Sequence, residues 1–177
     1  MPLRIGQKSP DFSNPTALMS DCHRRIEMFL STLRKVGDVG DELTTESTRA
    51  LDAALRYFRE AAPKHTKDEE ESLFPRMRKR KSTEMTTVMA EMDRLECDHQ
   101  VAQALHDEVE QIGKRWLRQA TINRAERQRF RNDVGKLEEI YREHIELEDQ
   151  KVFPLAARVL SAEEQREVGL EMARRRT

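Results

Sequence analysis

A repeat with a constant offset constrains the fold of this chain more than any other feature of its sequence. Residues 51–75 and 130–154 align at an offset of 79 residues. The matched pairs are Leu51 and Phe130, Leu55 and Val134, Phe58 and Leu137, Ala62 and Tyr141, His65 and His144, Glu69 and Glu148, Phe74 and Phe153, and Pro75 and Pro154. Up to the Glu pair, these positions advance by alternating steps of four and three, which keeps their side chains on one face of a helix. The repeat therefore predicts two similar helices, each with a His and a Glu on its buried face.

The composition favours a bundle of long amphipathic helices. Hydrophobic and charged residues each make up 37% of the 177 residues, so we expect one domain with a narrow core. Six Gly and six Pro are too few for the many turns of a β-sandwich or a β-barrel. A net charge of −1 argues against a nucleic-acid partner, and no apolar run is long enough to predict a membrane span.

The N-terminus and the cysteines favour a cytoplasmic protein. The first ten residues, MPLRIGQKSP, lack the apolar core of a secretory signal. Cys22 and Cys97 are too few for a disulfide framework, and we expect them to be free, buried thiols.

Capping signals and prolines predict an all-α, up-down-up-down four-helix bundle with a short C-terminal helix. The predicted long helices span residues 15–36, 45–74 with a kink at Pro63, 83–119, and 124–152. The last helix begins with a capping box over residues 161–164. The predicted organisation is an N-terminal arm over 1–14, the bundle over 15–160, and a helix with a basic tail over 161–177. We expect the basic runs 76–81 and 174–176 to be solvated.

The His and Glu of the repeat are candidate metal ligands. His65 and Glu69, like His144 and Glu148, form a His-x-x-x-Glu pair that puts both side chains on one helix face, one turn apart. Ionisable side chains in a buried stripe are costly unless they are paired or bound to a metal. Two copies followed by Phe-Pro at the same distance are improbable by chance, so the pattern favours a metal site over two buried ion networks.

The other two long helices each add an inward-facing histidine. His23 and His99 lie on apolar faces 76 residues apart, which indicates that the chain is a duplicated helix pair. One inward His on each of four helices is typical of a site at one level of a bundle. The predicted boundaries, however, displace His23 from His65 by about 10 Å along the axis. Either the loop at 37–44 runs along the bundle axis or one of the two helix boundaries beside it is wrong.

Several nearby residues have less specific roles. Tyr141, one turn before His144, faces the core and either forms a hydrogen bond near the metals or packs. His106, one heptad after His99, is expected to be structural or to lie beside the ligands rather than to be one of them. Glu27, four residues after His23, is expected to be solvated.

These residues resemble the hemerythrin family, in particular its bacterial HHE cation-binding members. The resemblance covers about residues 15–160 and rests on the motifs Asp21-Cys22-His23, His65 to Glu69 with Phe74-Pro75, Asp98-His99, and His144 to Glu148 with Phe153-Pro154. It implies a bundle that holds a non-haem, oxo- or hydroxo-bridged di-iron site. In that site His23, His65, His99 and His144 would be terminal ligands, and Glu69 and Glu148 would bridge two iron ions.

The chain departs from the oxygen-carrying branch of that family in two ways. The carriers have His-x-x-x-His on the third helix, where this chain has His99 and Gln103. They also use an Asp five residues after the last His as a bridge, whereas Glu148 follows His144 by four. The pattern is closer to relatives implicated in nitric oxide response, iron–sulfur repair, and oxygen or iron sensing.

Two functions share this set of ligands, and a third needs no metal. The preferred hypothesis is a non-enzymatic di-iron protein that binds O2 or NO, or handles iron, as a sensor, scavenger or iron supplier. The alternatives are a di-iron redox enzyme that acts on a small molecule or supports iron–sulfur repair, and a metal-free structural bundle. Nitrogen and carboxylate donors also suit Mn or Zn, so iron rests on the resemblance. The sequence leaves the oligomeric state open.

Overall fold

A computed structural model describes residues 11–177 as a set of helices joined by short loops. The α-helices are α1 (Pro15–Val39), α2 (Thr45–Glu60), α3 (Ala62–Lys67), α4 (Phe74–Arg78), α5 (Thr83–Gln119), α6 (Arg124–Leu147), α7 (Phe153–Val159) and α8 (Ala162–Arg174). Two π-helical turns, Asp68–Leu73 and Glu148–Val152, join α3 to α4 and α6 to α7. Residues 11–14 of the predicted N-terminal arm are not helical. The rest of that arm, residues 1–10, lies outside the described part of the chain. These are also the residues in which no secretory signal was predicted.

Side-chain caps fix the start of each long helix and of α8. In each case a polar side chain accepts a hydrogen bond from a backbone N–H of the first turn, which satisfies a donor that has no partner inside the helix. The capping residues are Asn14, Thr44, Ser82, Asn123 and Ser161. The predicted capping box at Ser161 is confirmed, because Glu164 also accepts from the Ser161 N–H.

The helices form the predicted four-helix bundle. Helix α1 packs on α2 and α6, and α5 packs on α2 and α6, which closes the ring. The loops between α1 and α2 and between α5 and α6 meet at one end of the bundle, where Leu43 N–H donates to the Ala120 carbonyl at 2.8 Å. Residues 11–177 form no strand, only an isolated bridge between Glu42 and Thr121. None of the helices in this range combines the length and the apolar character needed to cross a bilayer.

The predicted end of the first helix is wrong, and the expected displacement between His23 and His65 is absent. Helix α1 continues past Val36 to Val39, and the two imidazole rings lie 4.9 Å apart at one level of the bundle. The three added residues account for about 4.5 Å of that displacement. Gly37, the first residue of the predicted loop at 37–44, is buried inside α1. A Cβ at this position would lie 2.9 Å from the Arg131 side chain, so Gly37 allows α1 to approach α6 closely. The helix ends at Gly40, whose φ of 143° favours glycine.

The kink at Pro63 is confirmed. The basic segment after Pro75, predicted to be a solvated connection, is exposed only at Lys79 and Lys81. The chain bends at Ala61, and Pro63 lies in the first turn of α3. Helix α4 continues through Pro75 to Arg78. Arg76 lies 2.7 Å from Glu171 of α8, and Met77 is buried. This segment therefore fastens α8 to the bundle.

Two apolar clusters leave the middle of the bundle to polar residues. One lies toward the paired loops and includes Leu30, Trp116 and Phe130. The other includes Phe74, Phe153 and Met172 and extends under α8. Between them lie six buried or nearly buried His and Glu side chains: His23, His65, Glu69, His99, His144 and Glu148.

Candidate metal centre

The two π-helical turns place Glu69 and Glu148 in equivalent positions. Phe74 N–H donates to the Glu69 carbonyl and Phe153 N–H to the Glu148 carbonyl, each five residues back. The proline that follows each Phe has no N–H, and its ring would clash with the carbonyl four residues earlier in a regular α-helix. A wider turn relieves that clash, and such turns are frequent at functional sites. The repeated Phe-Pro therefore explains the local geometry of both glutamates.

The six predicted ligands form two adjacent groups of donor atoms. One group consists of His23, His65, Glu69 and Glu148, and the other of His99, His144 and the same two glutamates. Within each group the donor atoms all lie within 4.8 Å of one another. The glutamates are therefore shared, and each pair of histidines belongs to one group.

Each glutamate directs its two oxygens to different groups. Glu69 Oε1 lies 2.9 Å from His65 Nε2, and its Oε2 lies 3.3 Å from His99 Nε2. Glu148 Oε2 lies 3.1 Å from His23 Nε2, and its Oε1 lies 3.3 Å from His144 Nε2. This is the arrangement of two carboxylates that bridge two neighbouring sites.

Unsatisfied polar atoms show that the site fits metal ions. Glu69 and Glu148 are fully buried, and none of their carboxylate oxygens has a well-aligned hydrogen-bond partner among the described residues. The same holds for His23 Nε2. Buried polar atoms without partners are rare and costly. A metal ion in each donor group would provide a partner for these nitrogen and oxygen atoms.

The comparison with known families agrees with this geometry. Residues 14–156 match the family model described as the Hemerythrin HHE cation binding domain. The chain belongs to the hemerythrin HHE family. No curated protein matches the chain at a significant level.

Carboxylates outside the two groups orient two of the four imidazole rings of this HHE domain. His23 Nδ1 lies 3.0 Å from Asp149, and His99 Nδ1 lies 2.8 Å from Glu70. His144 Nδ1 lies 3.6 Å from Asp98, which is beyond hydrogen-bond distance. The contacts of His23 and His99 hold those two rings with Nε2 toward the metal site. His65 Nδ1 is buried and has no hydrogen-bond partner among the described residues.

Glu70 and Asp149 were missed in the sequence, although the repeat contains them. They directly follow Glu69 and Glu148 and are themselves 79 residues apart. Asp149 also stands five residues after His144, the spacing of the bridging Asp in the oxygen carriers. The structure brings Glu148, not Asp149, into the donor groups.

Burial and close contacts shift the pKa values of the HHE donors in opposite directions. Burial opposes protonation of His23, but the hydrogen bond to Asp149 and the nearby carboxylate of Glu148 outweigh it and raise its pKa to about 9. Burial also opposes protonation of His99, and the nearby carboxylate of Glu69 raises its pKa to about 9. Burial favours the protonated form of Glu69, but the charge of His65 keeps its pKa well below the usual value. The metal-free site therefore holds protons on imidazoles between ionised carboxylates.

A small enclosed chamber adjoins the donor groups. Its volume is about 10 Å³, and it is lined by the four histidines and by Ile26, Ala62, Thr66, Tyr141 and Ile145. The predicted inward orientation of Tyr141 is thus confirmed. Its hydroxyl lies 3.1 Å from His106 Nε2.

The remaining candidates lie outside the donor groups. Glu27 and Gln103 are exposed, and Gln103 donates to Asp107 rather than facing the histidines. His106 is buried beside Tyr141 and is not a member of either group. The expectation that both cysteines are buried is wrong for Cys97, which is exposed.

Proposed function

We propose that this HHE domain binds two iron ions, one in each donor group. His23 and His65 would hold one ion, His99 and His144 the other, and Glu69 and Glu148 would bridge them. The observation that carries this proposal is the division of both buried carboxylates between the two pairs of histidines. Nitrogen and oxygen donors suit iron, manganese and zinc, and the family resemblance favours iron.

We further propose that the ligand of the centre is a diatomic gas, O2 or NO. Two iron ions in such a ligand set would supply Lewis-acidic binding positions and redox chemistry. The chamber is small, which supports a ligand of a few atoms, such as O2 or NO, over a larger organic substrate. Ile26, Ala62 and Ile145 keep bulk water out, and Tyr141 places a hydroxyl at the chamber wall.

The lack of a fifth histidine in the donor groups of the described residues favours reactivity with oxygen over its storage. Gln103 stands where the carriers have a histidine, and it is exposed. Both donor groups then have two histidines and two shared carboxylates, so neither is more crowded than the other. This symmetry supports a role in sensing or scavenging a gas, or in handling iron, rather than oxygen transport.

Reconstitution with iron tests the proposal. The expected result is about two iron ions per chain and an optical spectrum that changes with azide, NO and air. The reduced, iron-loaded protein should oxidise on stopped-flow mixing with air. One iron per chain, or a spectrum indifferent to NO, would contradict the proposed function. Reversible O2 binding that persists for hours would restore the carrier role.

A further inference from the structure

A second, larger pocket lies directly outside the chamber. Its volume is about 470 Å³, within the range of small-molecule pockets, and residues of α3 and α5 supply most of its lining. The pocket and the chamber share Ala62, Thr66, His99 and Tyr141 in their walls. A molecule in this pocket is therefore separated from the chamber only by side chains that line both spaces.

His106 and Tyr141 link the pocket to the chamber. His106 lines the pocket, Tyr141 lines both spaces, and His106 Nε2 lies 3.1 Å from the Tyr141 hydroxyl. Phe58 stacks on the His106 ring, with centroids 4.3 Å apart and an angle of 25° between the planes. The imidazole therefore stacks on an aromatic ring while its Nε2 contacts the phenol.

The protonation states of His106 and Tyr141 determine whether the phenol presents a hydrogen-bond donor to the chamber. Burial lowers the pKa of His106 to about 4, so at neutral pH the ring is uncharged and carries a single N–H. The phenol of Tyr141 carries its hydrogen at neutral pH, as tyrosine ordinarily does. If His106 Nε2–H donates to the phenol oxygen, the hydrogen of Tyr141 is free to point into the chamber.

We propose that the outer pocket is the entry route for small ligands and that His106 is a positioning residue that makes Tyr141 a hydrogen-bond donor to them. The ligands are diatomic or triatomic molecules or anions with a lone pair to accept that hydrogen bond. This inference rests on the proposed function, because the ligand would occupy the chamber beside the two ions.

The first test uses the metal-free protein and does not depend on the proposed function. Nitrogen NMR of the His106 ring reports which nitrogen is protonated. The expected result is a neutral ring protonated at Nε2 at pH 7, with a resonance that shifts in Tyr141→Phe. A ring protonated at Nδ1 would overturn the role of His106.

The second test measures azide binding to the iron-loaded protein. Tyr141→Phe and His106→Leu should each raise the dissociation rate about tenfold through loss of the hydrogen bond, with little change in the association rate. His106→Gln retains an N–H donor and should restore much of the wild-type rate. An unchanged dissociation rate in variants that keep two iron ions would overturn the inference.

The third test blocks the pocket. Gln103 is exposed at its wall and lies outside the donor groups, so Gln103→Trp should slow azide association at least several-fold while leaving the iron content at two per chain. Gln103→Ala is the matched control and should associate at the wild-type rate. Equal association rates in both variants would contradict entry by this route. Loss of iron from the unmutated protein would instead count against the proposed function.

Discussion

The buried carboxylate of Asp68 lies 2.6 Å from the guanidinium of Arg176, which follows α8. Arg175 binds the other oxygen of Asp68 at 3.0 Å and also contacts Ser72. The expected solvated basic tail is therefore wrong for both arginines. They hold the π-helical turn that carries Glu69, so α8 braces one side of the donor groups.

Removal of both arginines should destabilise the protein. Arg175→Ala combined with Arg176→Ala leaves Asp68 as a buried, unpaired carboxylate, which costs about 3 kcal/mol of unfolding free energy. Urea unfolding measures this loss. Arg174→Ala is the matched control, because Arg174 is exposed and should change stability little. Equal stability of the double variant and the control would contradict the bracing role of α8.

Loss of either shared carboxylate should halve the metal content. Glu69→Ala or Glu148→Ala removes one oxygen from each donor group, and the remaining set should retain at most one ion. Glu27→Ala is a matched control, since Glu27 also follows a candidate histidine by four residues but is exposed. His106→Ala should likewise retain two ions. Elemental analysis decides, and equal loss of metal in the Glu27 or His106 variant would contradict the assignment.

Metal binding should release protons at neutral pH. The pKa values of about 9 for His23 and His99 mean that both imidazoles are protonated in the metal-free protein, whereas a ligand nitrogen must be free. Metal affinity should therefore rise as the pH increases toward 9. Calorimetry in buffers of different ionisation enthalpy measures the released protons. Uptake of metal without proton release would contradict this description of the site.

His106 should make the protein less stable in acid. The unfolded histidine takes up a proton near pH 6.5, whereas burial holds the folded pKa at about 4. Stability is therefore complete above pH 6.5 and falls as the pH drops toward 4, by about 3 kcal/mol in total. Metal-free His106→Gln should lose correspondingly less between pH 7 and pH 4 in urea titrations. Parallel pH profiles for the two proteins would contradict the assignment.

The repeat and the caps made the fold and the ligand positions predictable from sequence. Alternating steps of four and three place His65 and Glu69 inward whatever the neighbouring helices do, and a cap such as Asn123 acts within its own first turn. Local patterns of this kind need no knowledge of tertiary packing.

Features that depend on neighbouring elements were missed. Glycine is common in turns, but Gly37 lies inside α1, where its lack of a side chain allows α6 to approach closely. Arg176 belongs to a charged run that would be solvated if Asp68 did not lie opposite it. Glu70 and Asp149 were missed because each contacts a histidine on a different helix, His99 and His23 respectively.

Anomalous X-ray diffraction at the iron edge, from crystals of the iron-loaded protein, tests the central claim most directly. Two peaks are predicted, one beside Nε2 of His23 and His65 and the other beside Nε2 of His99 and His144, with Glu69 and Glu148 contacting both. A single peak, or peaks away from these six side chains, would contradict the two-metal centre.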